Sequence, residues 1–297
     1  MSTSEEASHL FANDKIATEH KRLNIQHRFV NTFGPPEQIH PSIPKDQIIL
    51  VADIATGTGV WLQDLATVLS KIPLRSDGSR QYVGFDISRD LFPSSYDSSF
   101  SYVQHNALCP FPDEHLGKYD LVHARFLIAA LKEDEIRIAL ENVLELLAPG
   151  GYIQWDEWDF PDIQLPSASP AVKQTLADFL DFSTSIGFSP DIASVLHSEL
   201  SQDSTIDQYI LSKTTWYSLK DEGTKKNSRD VAREWWIGAV RSLWPVMLAM
   251  TQSGQVRPRN EVEGMVGENV AMMERWFAEG GVPVIPLVVV CGKRMEF

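Results

Sequence analysis

The sequence predicts a doubly wound α/β fold with a mostly parallel sheet, and three observations carry that expectation. From about Ile48 to Trp158, strand-like apolar runs alternate with helical ones, the pattern of a parallel sheet joined by crossover helices. The run Ile49-Leu-Val-Ala-Asp-Ile-Ala-Thr-Gly-Thr-Gly-Val-Trp-Leu62 breaks into a Gly-Thr-Gly turn and opens directly into a helix. The next run, Tyr82-Val-Gly-Phe-Asp-Ile87, is a short apolar strand ending in an acid. In open sheets of this kind ligands bind beyond the carboxyl ends of the strands, so both breaks mark one edge of the fold.

The elements follow in order. Ile16, His20, Leu23, His27 and Val30 recur at steps of four and three, which predicts a helix over residues 13–33 capped by Asn13 or Asp14 and ended by Gly34-Pro35-Pro36. Pro73 to Arg80 is a polar connector. Ile136, Leu140, Val143, Leu144 and Leu147 form a helical face stopped by Pro149-Gly150-Gly151. Beyond Trp158 the prolines 161, 166 and 170 punctuate a loop, followed by helical segments from about Ala171 to Gln202 that read as an insertion over the ligand-facing edge. A long β run, Ile206 to Leu219, precedes helices at about Arg229 to Met250 and Glu261 to Glu279, then a final strand from Pro283 to Cys291. The expected division is an N-terminal helical cap (1–47), an α/β core (48–160), and helical insertions with the last strands (161–297).

Composition narrows the class. A chain of 297 residues that is 43% hydrophobic is long and apolar enough for a substantial core. Its net charge of −14 argues against nucleic acid as a partner, since phosphate contacts need clustered Lys and Arg. Lys225-Lys226 with Arg229, and Arg257 with Arg259, are too short to reverse that and read as solvated loops. Cys109 and Cys291 have no metal-ligand spacing and lie far apart, so no disulfide framework is expected and the compartment reads as reducing. The first residues lack a signal-peptide pattern, and Val282 to Cys291 is too short to span a bilayer, so a cytosolic chain without membrane contact is expected.

The loop itself reads as a nucleotide-ligand site. Gly57 and Gly59 let the backbone turn tightly and approach a ligand, with a helix N-terminus behind them. No lysine follows, which excludes a Walker loop. Leu62 stands where a dinucleotide fingerprint needs its third glycine, and Asp86 lies later than the roughly 20-residue spacing expected for NAD. With Asp53 and Asp86 at the ends of two successive strands, the pattern resembles the class I S-adenosylmethionine-dependent methyltransferases. Asp53 through Gly59, with Thr56, match their first motif, and Asp86 their ribose-binding acid. The resemblance continues through Tyr102-Val-Gln-His-Asn-Ala107, Tyr119-Asp-Leu-Val-His-Ala-Arg125 and Leu147-Ala-Pro-Gly-Gly-Tyr-Ile-Gln-Trp155. It implies a Rossmann-like seven-stranded sheet closed by an antiparallel strand at Val284 to Val290. It also implies S-adenosylmethionine as cofactor, with Ile87, Asn106 and Ala107 joining Asp86 around ribose and base.

Other residues carry two readings each. Asp53 contacts the cofactor's ammonium or serves as a turn acid. Asn106 stands where the family commonly has an acid near the adenine amine, and its oxygen can accept the same bond. His123 and Arg125 follow strand four, where the resemblance places the methionine end and the acceptor; His123 is a general base, an orienting group or a packed histidine. Asp156 and Glu157, flanked by Trp155 and Trp158, hold a cationic acceptor or form a solvated acidic loop. Glu19-His-Lys-Arg-Leu-Asn-Ile-Gln-His27 is similar to the N-terminal helix of fungal secondary-metabolite methyltransferases, including toxin-pathway N-methyltransferases. That likeness implies Arg22 on the cofactor carboxylate and Gln26 or His27 at the acceptor. Trp235, Trp236 and Trp244 line a lid or pack a core, and Met265, Met272 and Met273 pack a core or a dimer interface.

The activity expected is methyl transfer to an N, O or S nucleophile of a small metabolite, without a metal. Two rivals stand beside it: a methyltransferase-like enzyme that catalyses a cyclisation or rearrangement, and a non-catalytic regulator.

Overall fold

The computed structural model describes residues 3–33, 38–76, 78–128, 130–189, 191–216, 222–249 and 257–296. Seven strands, β1 (Leu50–Ile54), β2 (Gln81–Asp86), β3 (Phe100–Gln104), β4 (Tyr119–Arg125), β5 (Leu147–Trp158), β6 (Ile206–Trp216) and β7 (Ile285–Arg294), form one sheet in the order β3-β2-β1-β4-β5-β7-β6. β1 to β5 run parallel, and β7 lies antiparallel between β5 and β6. The chain moves outward from β1 to β3 and then returns to place β4 on the other side of β1. The order therefore reverses between β1 and β4, where such sheets open a ligand crevice.

Helices cover both faces, as the apolar strands require. Val51, Leu121 and Val289 point into one core with α2 (Val60–Leu69), α4 (Pro170–Ser185), α6 (Glu222–Leu248) and α7 (Arg259–Ala278). Their neighbours Ala52, Val122 and Val288 point into the other, with α3 (Glu133–Glu145) and α5 (Ile192–Gln202). The period-two alternation of strand side chains thus divides a continuous apolar run between two cores. Start signals are visible at the inserted helices: the Ser169 side chain accepts the Val172 N–H ahead of Pro170 in α4, and Asp191 accepts the Ser194 N–H in α5. The polar connector after α2 is pinned by Arg80, whose guanidinium donates to the carbonyls of Lys45, Ile48, Leu69 and Ile72.

Several expectations need correction. The first helix, α1, runs Thr3–Phe33, so Asn13 and Asp14 lie within it rather than capping it; no Gly or Pro interrupts residues 3–13, and a capping-type residue alone does not start a helix. Gly34-Pro35-Pro36 lies outside the described residues, as do Leu219 and Met250. α3 ends at Glu145, and Leu147 already pairs with Tyr119 in the sheet. Pro149-Gly150-Gly151 is then an irregularity inside β5: the register shifts before Leu121 meets Tyr152, Gly150 has φ +76°, and a Cβ on Gly151 would stand 2.6 Å from the Tyr119 carbonyl. Asp156 and Glu157 are strand residues, 7% and 1% exposed, not a solvated loop. Among the described residues, no helix is long and apolar enough to cross a membrane.

Candidate functional site

The site grows from the break after β1. Ala55, Gly57 and Gly59 have φ of +54°, +54° and +68°, so three left-handed residues turn the chain from strand into α2. Gly59 also cannot carry a side chain, because a Cβ there would stand 2.4 Å from the Tyr102 hydroxyl. The Thr56 N–H donates to the Phe85 carbonyl, tying the turn to β2, and the Thr58 hydroxyl donates to Asn24 Oδ1 of α1 at 2.8 Å.

Asp86 closes this loop. Its Oδ2 accepts the Gly57 N–H and its Oδ1 the Ser88 N–H, both at 2.8 Å. Burial raises its pKa against those two bonds. Each oxygen keeps a further lone pair, so the carboxylate is held in one orientation and can still accept two hydroxyls. Asp86 and Gly57 line a cavity of about 590 Å³ that runs from Ile87, Asn106, Ala107 and Leu108 beneath α1 to an aromatic end. Asn106 Oδ1 accepts the Leu108 N–H at 3.0 Å and keeps a second lone pair, so Asn106 can offer a ligand that acceptor as well as its amide donors.

The aromatic end is built by residues distant in sequence. Phe126 stacks on Trp158 with ring centroids 4.4 Å apart, and Phe179 stacks on Trp244 at 4.6 Å. Trp235 and Trp236 of α6 complete it, so the tryptophans serve both readings, packed in the core and lining the cavity. Met273 is fully buried in that same core, with Met272 partly buried against it. α1 lies over the cavity with Glu19, Arg22, Leu23 and Gln26 in its lining. Phe29 anchors it by stacking on Trp235 at 4.4 Å.

Asp53 and His123 sit behind the cavity wall, not in it. Asp53 accepts from the Thr56 hydroxyl through Oδ2 and from His123 Nδ1 through Oδ1, each at 2.7 Å. His123 is 0% exposed, and its ring lies parallel to the Trp61 indole with centroids 3.5 Å apart. Its Nε2 stands 3.5 Å from Asp156 Oδ2. Burial opposes the imidazolium, but the adjoining carboxylates of Asp156 and Asp53 outweigh it and hold the pKa above its ordinary value. A histidine held between two acids and against an indole stands outside the cavity lining, as the packed-histidine reading of the sequence expects. Glu157 is likewise internal: its Oε1 accepts from Trp155 Nε1 and the Leu127 N–H at 2.8 Å, and burial pushes its pKa up to about 8. It does not line the cavity.

Arg22 reaches the cavity, but its Nε and Nη2 both donate to the Glu19 carboxylate. His27 is buried and bonded to Asp64 Oδ2 at 2.7 Å, with its pKa lowered to about 4 by burial and by Arg125. Arg125, at the end of β4, lines the cavity itself. Sequence reasoning missed Phe126, Phe160 and Phe179 as lining; Phe126 has φ +58°, a strained backbone that no residue pattern announces.

A family model described as a methyltransferase domain matches residues 52–153. Methyltransferase grgD of a Penicillium species is 44% identical over 141 residues, 48% of this chain and 50% of that protein. N-methyltransferase gliN of Aspergillus fumigatus is 33% identical over 141 residues, 47% of each chain. N-methyltransferase tcpN of Claviceps purpurea is 29% identical over 178 residues, 59% of this chain and 61% of that one. The chain spans about half the length of the first two of these relatives. The matched segment runs from β1 into β5 and contains the glycine loop, Asp86 and the β4 terminus. Residues 52–153 are thus similar to a methyltransferase domain.

Proposed function

We propose that this chain transfers a methyl group from S-adenosylmethionine to a nucleophilic atom of a small, largely apolar metabolite. The observation that carries the reading is the Asp86 clamp on the glycine loop at one end of a cavity whose other end is aromatic. The residues present fit the cofactor. Asp86 retains acceptor capacity for both ribose hydroxyls, and Ile87 lines the cavity beside it while 65% exposed, an apolar surface suited to cover by a purine. Asn106, with Ala107 and Leu108, forms the facing wall.

When bound, S-adenosylmethionine supplies a sulfonium methyl that an incoming nucleophile displaces in line. The chain's part is to position and to exclude water. The loop and Asp86 fix the donor end, the aromatic end orients the acceptor, and α1 closes over both. Holding the reacting atoms at about 3–3.5 Å in line removes much of the barrier without any chemical group. His123 and Glu157 stand outside the cavity, which favours an acceptor that arrives with a lone pair ready. The N-methyltransferase relatives favour nitrogen as that atom.

Calorimetry with S-adenosylmethionine, S-adenosylhomocysteine and NAD tests the reading. Heat with the two sulfur ligands and none with NAD is expected; comparable NAD binding, or no heat with either sulfur ligand, refutes it.

A further inference from the structure

Arg125 is a charged group in the cavity wall that the loop and the Asp86 clamp do not use. β4 pairs with β1 as far as Ala124 opposite Ile54, so one step further the backbone of Arg125 runs beside Ala55, the first left-handed residue of the loop. Its guanidinium is drawn out of bulk water, and burial lowers its pKa although Asp53, Asp156 and Asp64 act on it from a distance. No carboxylate among the described residues stands within ion-pair distance. Its Nη2 instead meets Nδ1 of His27 at 3.0 Å, and its carbon lies 5.2 Å from the centre of the Phe126 ring. His27 carries no charge near neutral pH, because its pKa is lowered to about 4.

The other arginine of the cavity provides the contrast. Arg22 already holds the Glu19 carboxylate through two nitrogens, one helical turn away. A guanidinium fork matches a carboxylate bidentately, and one held in a wall without such a partner is costly unless a ligand supplies it.

We infer that Arg125, not Arg22, is the anion anchor of this cavity and takes a carboxylate of the bound small molecule. The inference rests on the methyltransferase reading for one of its two sources. The carboxylate belongs either to the amino-acid end of the cofactor, within reach of the loop at Ala55, or to an acidic acceptor lying against Phe126.

The test compares ligands that differ only in the anion. S-adenosylhomocysteine carries the amino-acid carboxylate and 5′-methylthioadenosine lacks it; benzoate carries a carboxylate and benzamide does not. Binding of all four is measured by calorimetry to the full chain and to Arg125→Met and Arg125→Lys, the benzoate pair with and without S-adenosylhomocysteine. If the cofactor is the source, Arg125→Met loses about ten- to a hundredfold in S-adenosylhomocysteine affinity, the range for a charged hydrogen bond, and keeps its 5′-methylthioadenosine affinity. Arg125→Lys recovers part of that loss. If the acceptor is the source, benzoate binding is lost in Arg125→Met while both nucleosides bind as before. The inference is overturned if neither carboxylate ligand loses affinity relative to its neutral partner. It is equally overturned if 5′-methylthioadenosine weakens in step with S-adenosylhomocysteine and benzamide in step with benzoate, because Arg125 would then hold the walls and not an anion. A parent protein that binds neither nucleoside refutes the cofactor reading separately, and the benzoate pair still decides the anchor.

Discussion

Glu157 makes stability depend on pH in a way that one substitution isolates. The side chain is 1% exposed, its Oε1 accepts two N–H bonds, and its Oε2 is buried with no hydrogen bond by distance and angle among the described residues. Burial raises its pKa from an ordinary 4.5 to about 8, against the bonds from Trp155 and Leu127. The unfolded chain therefore loses this proton first as pH rises, and the folded state, which keeps it, loses stability from about pH 4.5 until the folded pKa is passed. At about 1.4 kcal/mol per unit, the loss across that window is roughly 5 kcal/mol, a large share of the ~5–15 kcal/mol typical of a folded domain. Glu157→Gln keeps an oxygen acceptor for both donors and removes the titration. Urea denaturation of parent and variant at steps from about pH 5 to pH 9 should show the parent weakening steadily and the variant much less. His123, whose pKa is also raised, contributes a decline of the same sign, lost as pH rises through its folded value, and leaves the variant a residual slope. Equal slopes in the two proteins would refute the reasoning.

Other outcomes follow from the same geometry. Asp86→Ala should weaken S-adenosylhomocysteine binding by about 2–4 kcal/mol, since charged hydrogen bonds are lost and the Gly57 and Ser88 N–H groups are freed; parent-like affinity in calorimetry would remove its ribose role. His123→Ala should lower urea stability by about 3–5 kcal/mol by leaving Asp53 and Asp156 without their partner. A variant of parental stability with slow turnover that recovers at high pH would instead make His123 a base. Gly59→Ala should cost about 1–3 kcal/mol or more through the clash with Tyr102 and the left-handed backbone. Gly57→Ala meets only the movable tip of Leu23, at 2.9 Å, and should cost less in thermal melts of the pair.

The parts of the fold that obey local rules were legible in the sequence. Short apolar runs mark the strands, Gly57 and Gly59 mark the turn, and an acid after an apolar run marks Asp86 as a group at the ligand edge. What escaped depends on partners far along the chain. Whether Asp53 faces a ligand or a histidine is decided by the register that sets it against His123, a pairing across 70 residues. The aromatic end draws Phe126, Phe179 and Trp235 from three separate elements, and nothing within any one segment says that they converge. Asp156 and Glu157 kept two readings in the sequence, an acceptor-holding pair or a solvated loop, because adjacent acids are usually solvated. Their burial follows from β5 running on between β4 and β7, past the point where local polarity suggests an end.

The cavity of about 590 Å³ is one continuous space from Asp86 to Trp244. On the proposed function donor and acceptor share a single volume, and a guest that fills one half sets the shape left for the other. A single molecule joining an adenosine to a flat aromatic group through a short bridge would occupy both halves at once. It would lose its translational freedom once where two separate guests lose theirs twice, and so would bind more tightly than either fragment alone. The bridge length that gives the tightest binding would then measure, in solution, the separation between a guest held at Asp86 and a guest held at the tryptophans.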